Sequence, residues 1–154
     1  MALSPVSWSV AELLPHSGPM VLLDDMLGAG PGWVAAGVRI AEDSRFLERG
    51  RGVPCWLGLE YMAQTIALYS GLAAKRAGRP VRIGFLLGSR RYEAMADHFA
   101  LGSYLRIDAR EEWHDGQMGV FDCTVEEDGR CLARARLSVF LPPDAAALVA
   151  RREP

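Results

Sequence analysis

The sequence predicts an α+β fold, an antiparallel sheet wrapped around one long central helix, and three observations predict it. Between Leu57 and Ala74 the only charged side chain is Glu60, in a proline-free run rich in Ala, Leu and Met. Such a run reads as a helix with no face meant for water. Strand-like segments lie before and after this helix and do not alternate with further helices, which separates the pattern from a βαβ arrangement. Asp115-Gly116 and Asp128-Gly129 are hairpin signals that join the last strands in a row. With 154 residues, the chain is expected to be a single domain spanning 1–154.

Taken in order, Ser7 to Leu14 reads as a short helix with Ser7 or Ser9 as N-cap, stopped by Pro15. His16-Ser17-Gly18-Pro19 is a turn by composition. Met20 to Leu23 reads as a buried strand that reaches polar ground at Asp24-Asp25. The glycines and proline of Gly28 to Gly32 predict a turn, and Trp33 to Ile40 a second strand. Ala41 to Val53 is a polar loop carrying Arg45, Arg49 and Arg51. The central helix closes with Lys75, Arg76 and Arg79 beside Gly78 and Pro80, cations against its negative end followed by breakers. Three further strands are expected over Val81–Tyr92, Ser103–Trp113 and Gln117–Glu127, and a last one from Arg130 to Leu141. Pro142-Pro143 ends the sheet and a short tail follows.

About 20 apolar residues is also the length of a bilayer span. Glu60, Gln64, Thr65 and Ser70 inside the run favour a core helix instead, and no membrane association is expected. A formal net charge of −2 gives no basic footprint for nucleic acid. Cys55, Cys123 and Cys131 are odd in number and form no C-x-x-C pair, so neither a disulfide framework nor a structural zinc site is suggested. No basic segment precedes an apolar run at the N-terminus, and a reducing cytoplasm is the expected setting. A single sheet around one helix leaves edge strands open, and pairing them across a two-fold axis would cover them, so a dimer is expected.

Two stretches carry a resemblance to a known family. LLPHSGPMVLLDDML, Leu13 to Leu27, is similar to L-P-H-R-x-P-F-L-L-V-D, and PCWLGLEYMAQ, Pro54 to Gln64, to P-G-x-L-x-x-E-A-x-A-Q. Both patterns belong to the hotdog-fold 3-hydroxyacyl-acyl carrier protein dehydratases of fatty acid synthesis. GSRRYEA at Gly88 to Ala94 and ALGSYLRID at Ala100 to Asp108 are weaker echoes. Within the superfamily, the chain looks most like the dehydratases of aryl polyene or polyketide-like lipid synthesis, which act beside a second hotdog protein. The resemblance implies a dimer, homo- or heterodimeric, whose active sites form between subunits at the start of the central helix. Its implied partner is an acyl carrier protein with an acyl-phosphopantetheine substrate. No cofactor and no metal are implied.

In that family the acid of the helix works with a histidine in an upstream G-H-F-P-G segment. Here the matching position is Phe46, in FLERGRGVP, and no histidine stands there. His16 lies in the turn that the resemblance places beside the substrate channel, whereas His98 and His114 sit in connections where exposed histidines are the default. Eliminating water from a 3-hydroxyacyl thioester needs a base at C2 and an acid for the leaving hydroxyl. Histidine titrates near neutral pH and suits the first task, and a carboxyl in a partly apolar setting suits the second. His16 and Glu60 are the catalytic candidates.

Leu57, Gly58 and Leu59 are expected to bind substrate through helix-start amides, with Gly58 permitting close approach. Gln64 shares a helical face with Glu60 and is expected to orient it. Arg45, Arg49, Arg51, Arg90 and Arg91 are candidates for a phosphate or an acidic carrier. The alternatives are an acyl thioesterase on the same fold, or a non-catalytic hotdog subunit supporting an active partner.

Overall fold

A computed structural model of the chain describes residues 7–141 except Ile83. The tail that follows Pro142-Pro143 lies outside the described residues. A short helix α1, Val10–Leu13, is followed by a 3-10 turn, Gly18–Met20. Strands β1 (Asp25–Gly30), β2 (Trp33–Arg39) and β3 (Val53–Pro54) precede a second 3-10 turn, Cys55–Leu57, and the long helix α2, Gly58–Arg76. Then come β4 (Phe85–Ala94), β5 (His98–Phe99), β6 (Tyr104–His114), β7 (Met118–Glu127) and β8 (Arg130–Phe140). Six strands form one antiparallel sheet in the order β1-β2-β6-β7-β8-β4, while β3 and β5 pair separately.

α2 lies on the inner face of this sheet. Its 19 residues span about 28 Å. Met62 and Leu68 are fully buried against Val34, Ala36, Leu105, Ile107 and Val125, which are alternate residues of β2, β6 and β7. Each side chain of this size stabilises by about 1.5–3 kcal/mol when fully buried. The far end of α2 closes as the sequence predicts, with Gly78 at φ +68°, its amide on the Lys75 carbonyl and the Arg79 amide on that of Ala74. Among the described residues no helix is long and apolar enough to cross a membrane.

α1 crosses α2 at Gly71, where an added Cβ would run into the Leu13 carbonyl. Gly71→Ala therefore tests this crossing. Helix propensity alone favours alanine by about 1 kcal/mol, but a clash with backbone cannot swing aside and costs about 1–3 kcal/mol or more. A melting temperature lower by several degrees is expected in a thermal scan, at about 2–4 °C per kcal/mol. A rise would show that the two helices do not touch there.

The sequence reading needs correction in four places. α1 starts at Val10 because Ser9 and Glu12 form a reciprocal capping box, each backbone N–H bonded at 3.2 Å to the other's side chain. Val21 to Leu23 is not a strand; β1 begins at Asp25 and includes Gly28 and Gly30, and the tight turn is confined to Pro31-Gly32. Gly28 sits at a bulge in the β1–β2 ladder. β4 starts at Phe85, later than expected, and the connection after it holds the two-residue strand β5. Finally, α2 is not covered all round. Ala63, Ala67 and Ser70 are half-buried and Ala73 is exposed, so a stripe of small residues stays open.

All three cysteines are free thiols. Burial pushes Cys55 up to about 11 and Cys123 up to about 12. At pH 8 the thiolate fraction of Cys55 is then on the order of 10⁻³, and the thiolate is the reactive form. Titration of the native protein with a thiol reagent is expected to show one fast thiol, the half-buried Cys131, and three only after unfolding.

Candidate active site

The chain after α1 runs back along α2 toward its first turn. Pro15 ends α1, and His16 follows it immediately, anchored by the buried pair Leu13 and Leu14. This places His16 Nε2 3.7 Å from Glu60 Oε1. The gap is longer than a hydrogen bond. Both side chains are partly accessible, 27% for His16 and 39% for Glu60. His16 Nδ1 is buried and has no hydrogen-bond partner among the described residues.

Gln64 holds the site together. It is completely buried, one turn beyond Glu60. Its Nε2 donates to the Met20 carbonyl at 2.8 Å and to Glu60 Oε1 at 3.1 Å, and its Oε1 accepts from the Leu22 amide at 3.0 Å. One amide thus ties the segment after His16 to the helix and fixes the Glu60 carboxylate.

His16 and Glu60 open onto a cavity of about 430 Å³ that follows the uncovered stripe of α2. Ala63, Ala67 and Ser70 form its floor, with Phe85, Phe121 and Phe140 among its walls. Sequence reasoning named Phe85 as a determinant of tunnel depth, but not Phe121 or Phe140. The signal was present in the small side chains repeating at three- and four-residue spacing on the face of Glu60.

Other expected residues are placed differently. Leu57, Gly58 and Leu59 do not line this cavity; Leu57 and Gly58 are buried and Leu59 packs on the core. Gly58 is required for another reason than substrate approach. The Tyr92 hydroxyl and the Phe99 ring, 3.2 Å from where a Cβ would stand, close over it. Tyr92 donates to the Cys55 carbonyl and so clamps the entry to α2. The Gly58 amide is already bonded to the carbonyls of Cys55 and Trp56, which removes it as a free donor.

Phe46, which occupies the position of the family histidine, has φ 64° and lies edge-on to the exposed Trp56 at 5.8 Å, with the Arg45 guanidinium over its ring. His98 is not uncommitted: its Nε2 is 3.1 Å from Glu48 Oε2. His114 is exposed in the β6–β7 hairpin, where it and Glu111 also border the cavity; its Nε2 is 3.4 Å from Glu111 Oε1 and its Nδ1 accepts from the Gly116 amide. Arg90 and Arg91 border a separate hollow on the outer face of the sheet. Among the described residues no cluster of His, Cys, Asp or Glu is arranged to hold a metal ion.

A half-buried imidazole and an oriented carboxylate thus stand side by side on the wall of a mostly apolar cavity. Comparison with known proteins gives this pair a context. The family model described as ApeP dehydratase, of the ApeP-like family, matches residues 8–150. The chain belongs to the ApeP-like dehydratase family. The family fold is the hotdog, and the chain is a hotdog dehydratase. It is similar to the dehydratase heterocomplex ApeI:P from Xenorhabdus doucetiae, with a TM-score of 0.88 and 29% identity over 96% of this chain and 100% of that one.

More distant likenesses show the fold alone. Smu.793 from Streptococcus mutans UA159, bound to acetyl CoA, gives a TM-score of 0.61 at 19% identity, over 77% of this chain and 87% of that one. The PaaI protein of the E. coli phenylacetic acid degradation operon gives 0.58 at 12%, over 77% and 78%. Among curated proteins none matches this chain.

Proposed function

We propose that the protein removes water from a 3-hydroxyacyl thioester carried on an acyl carrier protein, giving the trans-2-enoyl thioester for fatty acid or polyketide-like lipid synthesis. The observation that carries this reading is the 3.7 Å separation of His16 Nε2 and Glu60 Oε1 on the wall of a mostly apolar cavity. Dehydration needs a base and an acid acting on adjacent carbons of one substrate. Two groups too far apart to bond each other, yet close enough to flank a C2–C3 bond, meet that need.

In this mechanism His16 Nε2 takes the C2 proton, with Nδ1 carrying the ring's other hydrogen. The C2–H electrons form the C2=C3 bond as the C3–O bond breaks, and the protonated Glu60 carboxyl delivers its proton so that the hydroxyl leaves as water. Transfer of the captured proton from the imidazolium back to the carboxylate resets the site. Gln64 holds the carboxylate through its 3.1 Å bond and keeps it aimed at C3. The cavity along Ala63, Ala67 and Ser70 receives the acyl chain.

The exposed loop of Arg45, Arg49 and Arg51 faces the carrier. Its nearness to the helix start is supported by the Phe46–Trp56 contact. A second hotdog subunit completes the assembly, and the solved relative, named as a heterocomplex, supports this reading. The reading places the protein in the cytoplasm.

Incubating the purified protein with a 3-hydroxyacyl carrier protein and weighing the intact carrier tests the reaction. Loss of one water from the carrier is expected. Release of the free carrier thiol with a free acid would make the protein a thioesterase, and an unchanged carrier would leave it a supporting subunit.

A further inference from the structure

We infer that Arg90 and Arg91 select the second subunit: they disfavour pairing of β4 with a second copy of this chain and favour the edge of a different hotdog subunit that presents acidic side chains there. The inference rests on the two-subunit assembly proposed above.

β4 is an outer strand of the six-stranded sheet, hydrogen-bonded to β8 on one side only. Along that open edge Leu86 and Leu87 are exposed, 41% and 54%. An unprotected apolar edge strand is a template for another chain. The middle of the strand carries the charges. Arg90 stands directly across from Arg136 on β8, and a bulge between Arg90 and Glu93 inserts Arg91 at φ 57°. Asp122 holds Arg136 and Glu93 holds Arg134. The side chains of Arg90 and Arg91 make no ion pair or hydrogen bond among the described residues.

Antiparallel pairing of β4 with itself about its centre, between Ser89 and Arg90, would set Arg90 of one copy diagonally across from Arg90 of the other, about 6 Å apart at the backbone, with the two Arg91 about 11 Å apart. Like charges facing each other across strands are destabilising, and opposite charges reverse the sign. The apolar edge therefore supplies attraction to any hotdog edge, and the arginine pair discriminates among them, which is how specificity against a wrong partner is built. The 29%-identical relative is solved as a heterocomplex, consistent with an edge that rejects its own copy.

The test is a mixing experiment with the full chain at low salt, read by mass photometry and by amide hydrogen exchange of residues 85–94. It involves no substrate, so its outcome is independent of the dehydratase chemistry. Wild type mixed with Arg90→Glu/Arg91→Glu is expected to form dimers roughly tenfold tighter than either alone, with β4 amides newly protected. The neutral Arg90→Gln/Arg91→Gln chain, and wild type at high salt, are expected to self-associate more tightly than wild type at low salt. A low-salt wild-type dimer as tight as the mixed one and protected along β4, or a mixed pair no tighter than its components, overturns the inference.

Discussion

Glu60→Gln is expected to lower turnover of a 3-hydroxyacyl carrier-protein thioester by about 10²–10⁴-fold, the range for loss of a positioned acid or base. The amide has the shape of the carboxyl and keeps an oxygen for Gln64 Nε2, so the 3.1 Å bond and the local packing survive. What it lacks is a proton to give the leaving hydroxyl. Melting temperature and dimer content are therefore expected to match wild type, and the loss to fall on kcat. A variant that keeps more than about a tenth of the wild-type kcat would place the acid elsewhere.

Gln64→Leu is expected to damage both stability and activity. The leucine fills much of the same buried volume but leaves the Leu22 amide and the Met20 carbonyl without their partner. Each buried polar group left unpaired costs about 1–3 kcal/mol, so a loss of about 2–5 kcal/mol and a melting temperature lower by roughly 5–20 °C are expected. Glu60 loses the hydrogen bond that orients its carboxylate at the same time, so kcat is expected to fall at temperatures where the variant remains folded. Full activity in a folded Gln64→Leu protein would remove Gln64 as the residue that positions the acid.

The same three bonds explain where the sequence was legible and where it was not. The long helix, its charged and glycine-marked end and the two hairpins joining β6, β7 and β8 follow from local patterns, and these appear within a few residues of their expected places. Met20 to Leu23 has the composition of a buried strand, yet it is none. The backbone groups that a neighbouring strand would have paired at Met20 and Leu22 are taken by the Gln64 side chain, 44 and 42 residues away. No local pattern reports such a distance.

Gly58 shows the same limit. Its position in the motif suggested room for substrate, whereas the structure fills that room with Tyr92 and Phe99. β3 and β5, two residues each, are too short to leave a periodic signal. The open stripe on α2 left a signal in the spacing of its small side chains, but it was easily read as core, because alanine counts as apolar whether it is covered or merely small. In contrast, the convergence of His16, Glu60 and Gln64 was legible from motif resemblance and from the one-turn spacing of Glu60 and Gln64.

The central claim is that one chain supplies both groups of the elimination, with His16 taking the place of the histidine absent at Phe46. The most direct measurement is the initial rate of water loss from a 3-hydroxyacyl carrier-protein thioester for wild type, His16→Ala, His98→Ala and His114→Ala. The account predicts a fall of about 10²-fold or more for His16→Ala alone, with the other two variants near the wild-type rate. A wild type that leaves the thioester intact, or a His16→Ala protein that keeps its full rate, would contradict it.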